Sequence, residues 1–237
     1  IAYQLAARSD VVMESFVGDG LERRGLGYKE ISRLNPRVIM LSTTSQGKTG
    51  PYRNHPGYGF QLVTLAGFSH FTGWPDRPPS LPVGAYTDSI APWFVATAVL
   101  AALDHRDRTG KGQHIDLSQL ESSLLFLAPA FLDYDLNGRI QTRMGNRSTS
   151  AEPHGVFPCK GEDRWCAIVV ETEAEWKRFC EVLGNPPWTK EKRFATFLDR
   201  KKNEDELETL IEAWTEQHFP EELMKKLQET GIAAGVV

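Results

Sequence analysis

Apolar and polar residues fall into blocks of two different periods along this chain, and the blocks alternate. Residues 1–10 (IAYQLAARSD) carry a helical pattern that runs directly into residues 10–16 (DVVMESF), a valine-rich run closing on Gly18-Asp19-Gly20. The pair predicts a helix, then a buried strand and a loop. Residues 21–34 are helix-like with an interruption at residues 25–27, Asn35-Pro36 stops them, and residues 37–43 (RVIMLST) predict a second strand bounded by turn residues. Beyond a long apolar helix, residues 113–117 predict a third strand. Ser118 followed by Glu121 then has the spacing of a capping box, opening a helix toward Leu127. Helix alternating with strand predicts an α/β fold with a Rossmann-like parallel sheet covered on both faces. Ligands of such sheets gather at the carboxyl ends of the strands, so the loops after Glu14 and Thr43 are candidate walls of a binding site.

The pattern changes in the second half. Pro129 and the polar stretch 133–147 predict a boundary. Residues 155–160 and 164–171 predict a hairpin around Gly161-Glu162-Asp163. Thr172 and Glu175 form a second capping-box spacing, for a helix ending at Gly184 before Asn185-Pro186-Pro187. Two amphipathic helices come after it at residues 203–218 and 220–230, and Trp176, Phe179 and Trp214 read as core. The chain is therefore divided into a large α/β domain, residues 1–147, and a second, smaller α+β domain, residues 148–237.

Within the first part, residues 82–103 (PVGAYTDSIAPWFVATAVLAAL) hold a lone carboxylate, Asp88, between a short strand-like run and the longest apolar run of the chain. Pro92 has no N–H to give and suits a first helical turn. The expectation is therefore Ser89 as N-cap, Pro92 at the third helical position and Asp88 one residue outside. A carboxylate there meets the positive end of the helix dipole and unpaired N–H groups, which favours an ionised, partly desolvated group able to act as a nucleophile. Local chemistry by itself also fits a plain cap or turn residue. The apolar run 91–103, with only Thr97 polar, is too short for a bilayer and reads as a buried helix.

Composition narrows the classes. With 237 residues, 41% hydrophobic and 24% charged, the chain is long enough for a real core. Its 27 basic and 31 acidic residues leave a net charge of -4, and no basic block suggests a nucleic-acid or membrane face. Cys159, Cys166 and Cys180 have no C-x-x-C spacing and read as reduced thiols of a cytoplasmic protein. The six histidines lack ligand spacing, so no metal site is expected. Gly47-Lys48-Thr49 resembles the end of a P-loop superficially, but Ser42 stands where its first glycine would fall, and nucleotide hydrolysis is discarded. Gly110-Lys111-Gly112 reads as a turn between helix and strand.

The order of Gly84-x-x-x-Asp88, apolar helix and then HRDRTGKGQHIDLSQLES (105–122) resembles the family III CoA-transferases, the CaiB/BaiF-like group that includes formyl-CoA transferase and carnitine CoA-transferase. GLGYKEISRLNPRVIMLSTT (25–44) and TGPYRNHPGYGF (49–60) match the same family in the same order. The resemblance implies that Asp88 is the acyl-carrying nucleophile. It implies that CoA is held by Ser15, Phe16, Arg23 and Arg24 after the first strand and by Thr44 and Ser45 after the second. It also implies that the loop with Gly145, Asn146 and Arg147 faces the active site, where Gly145 is the expected oxyanion donor. Coenzyme A enters as a substrate, in acyl-CoA, with a carboxylic acid as acceptor; no permanently bound cofactor is expected. An interlocked homodimer is implied as well.

Departures from the family pattern are local. Ser15 stands for the usual Asn, Gly18 for the usual Pro, Ser45 for a Gly beside the thioester, and Gly59 for the Asp of Gly-Tyr-Asp. Acyl-CoA racemases of the same superfamily carry Gly-His-Asp at that last place. Tyr58 and Gly59 supply no group titrating near neutrality, which disfavours racemisation or epimerisation. A non-catalytic CoA-binding partner subunit is the third reading. Relative to the family, the chain lacks an opening strand and helix and stops before the closing segment, and Ile1 is not expected to be a native start.

Overall fold

The computed structural model describes residues 1–237, which divide into two compact units, Ile1–Arg143 and Met144–Val237. In the first unit, helix α1 (Ala2–Ala6) leads into strand β1 (Val11–Glu14), and a short 3-10 turn (Glu22–Arg24) precedes helix α2 (Tyr28–Leu34) and strand β2 (Ile39–Thr44). Helices α3 (Gly59–Ala66), α4 (Phe68–Phe71) and α5 (Tyr86–Thr109) come next, then strand β3 (Gln113–Ser118) and helices α6 (Gln119–Leu124) and α7 (Ala128–Asn137).

The three strands form a parallel sheet in the order β1-β2-β3, with Glu14 opposite Ser42 and Ser42 opposite Asp116. Central β2 is buried on both sides: Val38, Ile39, Met40, Leu41 and Ser42 all have 0% exposure, as an unbroken apolar run in a covered parallel strand requires. Val38 and Met40 pack with Ala6 and Ile31, while Val63, Ala66, Phe68 and Ile90 form a second cluster under α3 and α5. At 25 cal/mol per Å², each such fully buried aliphatic side chain contributes roughly 2 kcal/mol.

Three expectations change. Helix α5 starts at Tyr86 with Ala85 as N-cap, so Asp88 lies in its first turn and Pro92 is inside the helix. Tertiary contacts set this start: the Thr87 hydroxyl, buried, donates to the Gly59 carbonyl at 3.3 Å, and Ile90 and Ala91 are buried beside it. Next, α5 is mostly exposed, with Trp93 at 76% and Leu100 at 67%; its buried residues are Thr87, Ile90, Ala91, Ala102 and Arg106. At 24 residues it is also long and apolar enough to cross a membrane by length and composition alone, though its Arg106 is buried and paired with Asp10 at 2.8 Å. Finally, Pro129 occupies the first turn of α7, where its missing N–H costs nothing, and the polar run from Asp133 begins as helix. Gly110 caps α5 in the left-handed region at φ 75°, the turn expected there.

The second unit holds strands β4 (His154–Pro158) and β5 (Trp165–Val169), helices α8 (Glu173–Leu183), α9 (Phe197–Lys202), α10 (Glu204–Thr215) and α11 (Pro220–Glu229), and strand β6 (Ala233–Val236). Its sheet is antiparallel, in the order β4-β5-β6. Thr172 and Glu175 make the full reciprocal capping box at α8, whereas at α6 the Ser118 hydroxyl accepts from Glu121 N–H. The core gathers Phe157, Ile168, Phe179, Phe194, Leu207, Ile211 and Leu227, with Trp176 buried and Trp214 packed on its edge.

Candidate active site

The parallel register brings the carboxyl ends of all three strands together, at Glu14, Thr44 and Ser118. A cavity of about 210 Å³ opens there, lined by Ser15, Thr43, Thr44, Ser45, Gly57, Tyr58, Gly59, Asp88 and Gln119. Strand β2 supplies Thr43 and Thr44, the loops after β1 and β2 Ser15 and Ser45, the start of α3 and the residues before it the glycines and Tyr58, α5 the acid and α6 the glutamine. Asp88 is the only carboxylate among them. A larger cavity, about 330 Å³ and lined by groups such as Phe71, Leu127 and Phe131, has no carboxylate on its walls.

Several bonds fix the smaller cavity. Leu120 N–H donates to the Ser45 carbonyl at 3.0 Å, joining the loop after β2 to α6. The Ser45 hydroxyl reaches the Gly57 carbonyl at 3.5 Å. Thr87 ties the first turn of α5 to Gly59, which sets Asp88 beside the start of α3. A methyl group built on Gly59 would collide with Ala85 Cβ and Asp88 Oδ2, and would lie 2.8 Å from Asp88 Cγ. Glycine at 59 therefore leaves the seat in which the carboxylate rests. The hydroxyls of Thr43 and Thr44 are buried without a hydrogen-bond partner in the protein; as successive residues of β2 they point to opposite faces of the sheet.

Of the residues expected from sequence, Asp88, Ser15, Thr44 and Ser45 meet in this cavity. Asp88 is exposed at its mouth and not desolvated, because the first turn of α5 faces outward around the buried Thr87. Phe16, on the loop after β1, and Arg23 and Arg24, on the 3-10 turn that follows it, do not line it. Phe16 is half-exposed, with the Arg24 guanidinium 5.4 Å from its ring centre; Arg24 also donates to the Gly20 carbonyl at 2.6 Å. Arg23 is exposed and makes no ion pair. Gly145 belongs to the second unit and has φ 61°. Beside it, Arg147 bonds the carboxylates of Glu204 and Glu208 at 3.1 and 2.9 Å, as well as Asp205. That pairing holds the guanidinium protonated well above its ordinary range, Glu208 contributing most.

Thr43, Gly57 and Gln119 were not foreseen as wall residues. Gln119 had a readable signal, since it comes directly after the Ser118 cap at the end of a predicted strand. Gly57 opened the Gly-Tyr-Gly triplet set against the family's Gly-Tyr-Asp, though its contact with Ser45 joins residues twelve apart and had no local trace.

Known proteins resemble this chain along its whole length. The family model described as CoA-transferase family III matches residues 1–237. Succinyl-CoA--D-citramalate CoA-transferase of Chloroflexus aurantiacus is 34% identical over 232 residues, covering 98% of this chain and 58% of that protein. Succinate--glutarate CoA-transferase of Agrobacterium fabrum is 32% identical, covering 99% of this chain and 58% of its own length. A crystal structure of a CaiB/BaiF family protein from Brucella suis superposes with a TM-score of 0.88 at 33% identity, over 98% of this chain and 61% of that one. The chain thus spans about three fifths of the length of these relatives.

Proposed function

The chain belongs to CoA-transferase family III, and on that premise we propose that it carries the acyl-bearing aspartate of an enzyme that moves coenzyme A between carboxylic acids. The observation behind this reading is that Asp88 is the one carboxylate in the cavity at the carboxyl ends of the parallel strands. Its carboxylate attacks the thioester carbonyl of the donor acyl-CoA, forming a mixed anhydride and expelling CoA thiolate. Thiolate then attacks the aspartyl carbonyl, which frees the donor acid and leaves an aspartyl-CoA thioester. The acceptor carboxylate attacks that thioester, and the returning thiolate takes the acceptor acyl group from the new anhydride. Asp88 is regenerated, and the thioester bond energy is kept because water takes no part.

Each step builds negative charge on a carbonyl oxygen. Gln119, on the cavity wall and carrying an amide N–H, is the donor we assign to it. For the nucleotide end of CoA, exposed Arg23 supplies a free cation for a phosphate, while Phe16 offers its uncovered face to the adenine. Relatives named for succinyl-CoA, D-citramalate, succinate and glutarate point to dicarboxylic acids as the first donor and acceptor pairs to screen. Racemisation is the weaker reading, because the cavity offers no second acid or base beside Asp88 on which a proton could be relayed near neutral pH.

Incubation with acyl-CoA and trapping with hydroxylamine will place the label on Asp88 by mass spectrometry. Asp88→Ala will lower transfer about a thousandfold or more. A label elsewhere, or full turnover by the variant, would end this reading.

A further inference from the structure

A lysine that no step above uses is buried against the carboxyl ends of the parallel strands. Lys48 has 9% exposure, and its ammonium lies 3.1 Å from the carboxylate of Glu14 and 3.4 Å from that of Glu22. Its backbone N–H donates to both oxygens of Asp116, at 2.9 and 3.0 Å. The side chain of Glu14 is 1% exposed, and its second oxygen accepts the Phe16 N–H at 2.8 Å. Glu14, Ser42 and Asp116 occupy one row across the sheet, being register partners on β1, β2 and β3. Lys48 closes over that row from the loop after β2.

We propose that Lys48 is a positioning residue that clamps the loops after β1 and β2 in the shape that receives the CoA end of the substrate. This rests on the reading of the cavity as a CoA-transferase site. Ser15 and Phe16 come directly after Glu14, and Ser45 lies three residues before Lys48. One ammonium therefore sets the distance between the two walls. The charge balance favours the clamp: without the ammonium, the buried Glu14 carboxylate keeps a single N–H donor, and opening the loop that holds Ser15 and Phe16 returns it to water. The P-loop-like spacing at 47–49 thus has a use unrelated to phosphate, since the lysine points into protein and pairs with carboxylates.

The test is made on the full-length protein with Lys48→Met, Lys48→Arg and Glu14→Gln. Lys48→Met will raise KM for acyl-CoA about tenfold with kcat within about twofold, and Lys48→Arg will restore KM. Amide hydrogen exchange will quicken in residues 15–24 and 45–50 and stay unchanged in the second unit. Glu14→Gln keeps shape and removes the partner charge, so it reports the same loops if Lys48→Met fails to fold. A variant with wild-type KM and a kcat reduced only by loss of folded protein overturns the clamp, as does unchanged exchange in residues 15–24. Should wild-type protein transfer no CoA at all, the catalytic reading falls, and the exchange measurement still decides the clamp.

Discussion

Between Gly59 and Asp88 the absence of one carbon atom governs how much room a carboxylate has. Any side chain at 59 meets both Ala85 Cβ and Asp88 Oδ2, and the backbone there is ordinary, so the cost of adding a methyl is steric only. Gly59→Ala is expected to lose about 1–3 kcal/mol of stability from overpacking and to lower transfer about tenfold or more by displacing Asp88. Pairing it with Ala85→Gly removes one of the two collisions, so melting should recover in part while transfer does not. Full transfer by the single variant would show that the reacting group is not seated there. In the sequence, Gly59 was visible only as a place without an acid; its contact with Asp88 joins residues far apart in the chain and left no local trace. Asp88 itself stood out through family likeness, since an acid opening a helix is ordinary chemistry. Lys48 was seen for its spacing, and the carboxylates that give it a purpose come from three separate strands or turns.

Among elements, legibility depended on how local the determining bonds are. The strand at residues 37–43 and the cap at Thr172 were readable because turn residues and a three-residue spacing fix them. The start of α5 was not, since a tertiary bond from Thr87 decides it. Helix α9 was also hidden: six residues show no full apolar stripe, and its place in the fold depends on one charged side chain. Arg200, 2% exposed, forks onto both oxygens of Glu173 at 3.2 and 3.0 Å, donates to the Glu152 carbonyl, and stacks 4.6 Å from the Trp176 ring centre. Removing a buried pair member in this way costs about 3–5 kcal/mol, and the exposure of Glu173 places Arg200→Ala near the lower bound. Urea unfolding monitored by tryptophan fluorescence will read it. Bonding to Arg200 also holds the Glu173 carboxyl below its ordinary value of 4.5. That part of the stability is present above pH 4.5 and fades as pH falls through the lowered value; Arg200→Ala should show no such acid limb.

For the molecule as a whole, composition indicated free thiols, and all three cysteines are free and buried. Burial pushes Cys166 and Cys180 up to about 11 from an ordinary 9.0. Both groups are neutral below pH 9, so their contribution is intact there; as pH rises from 9.0 to about 11 the unfolded chain sheds protons that the folded one keeps, and stability declines. Melting temperatures measured across that window should fall for the wild type and fall less for the Cys166→Ala, Cys180→Ala double variant. An equal slope in both would refute burial as the cause. The parallel sheet was foreseen from helices alternating with strands and the β4-β5 hairpin from its turn residues, whereas β6, four residues of Ala, Gly and Val, had no pattern to announce it.

Pro92 sits four residues after Asp88 and has no hydrogen to lend to that residue's carbonyl. One rung is missing from the ladder of α5 at the very turn that carries the acid. What the ladder does not supply there is made up from outside it: Thr87 reaches across to Gly59, and Ile90 and Ala91 are buried, so the seat of the acid is decided by a neighbouring helix as much as by its own.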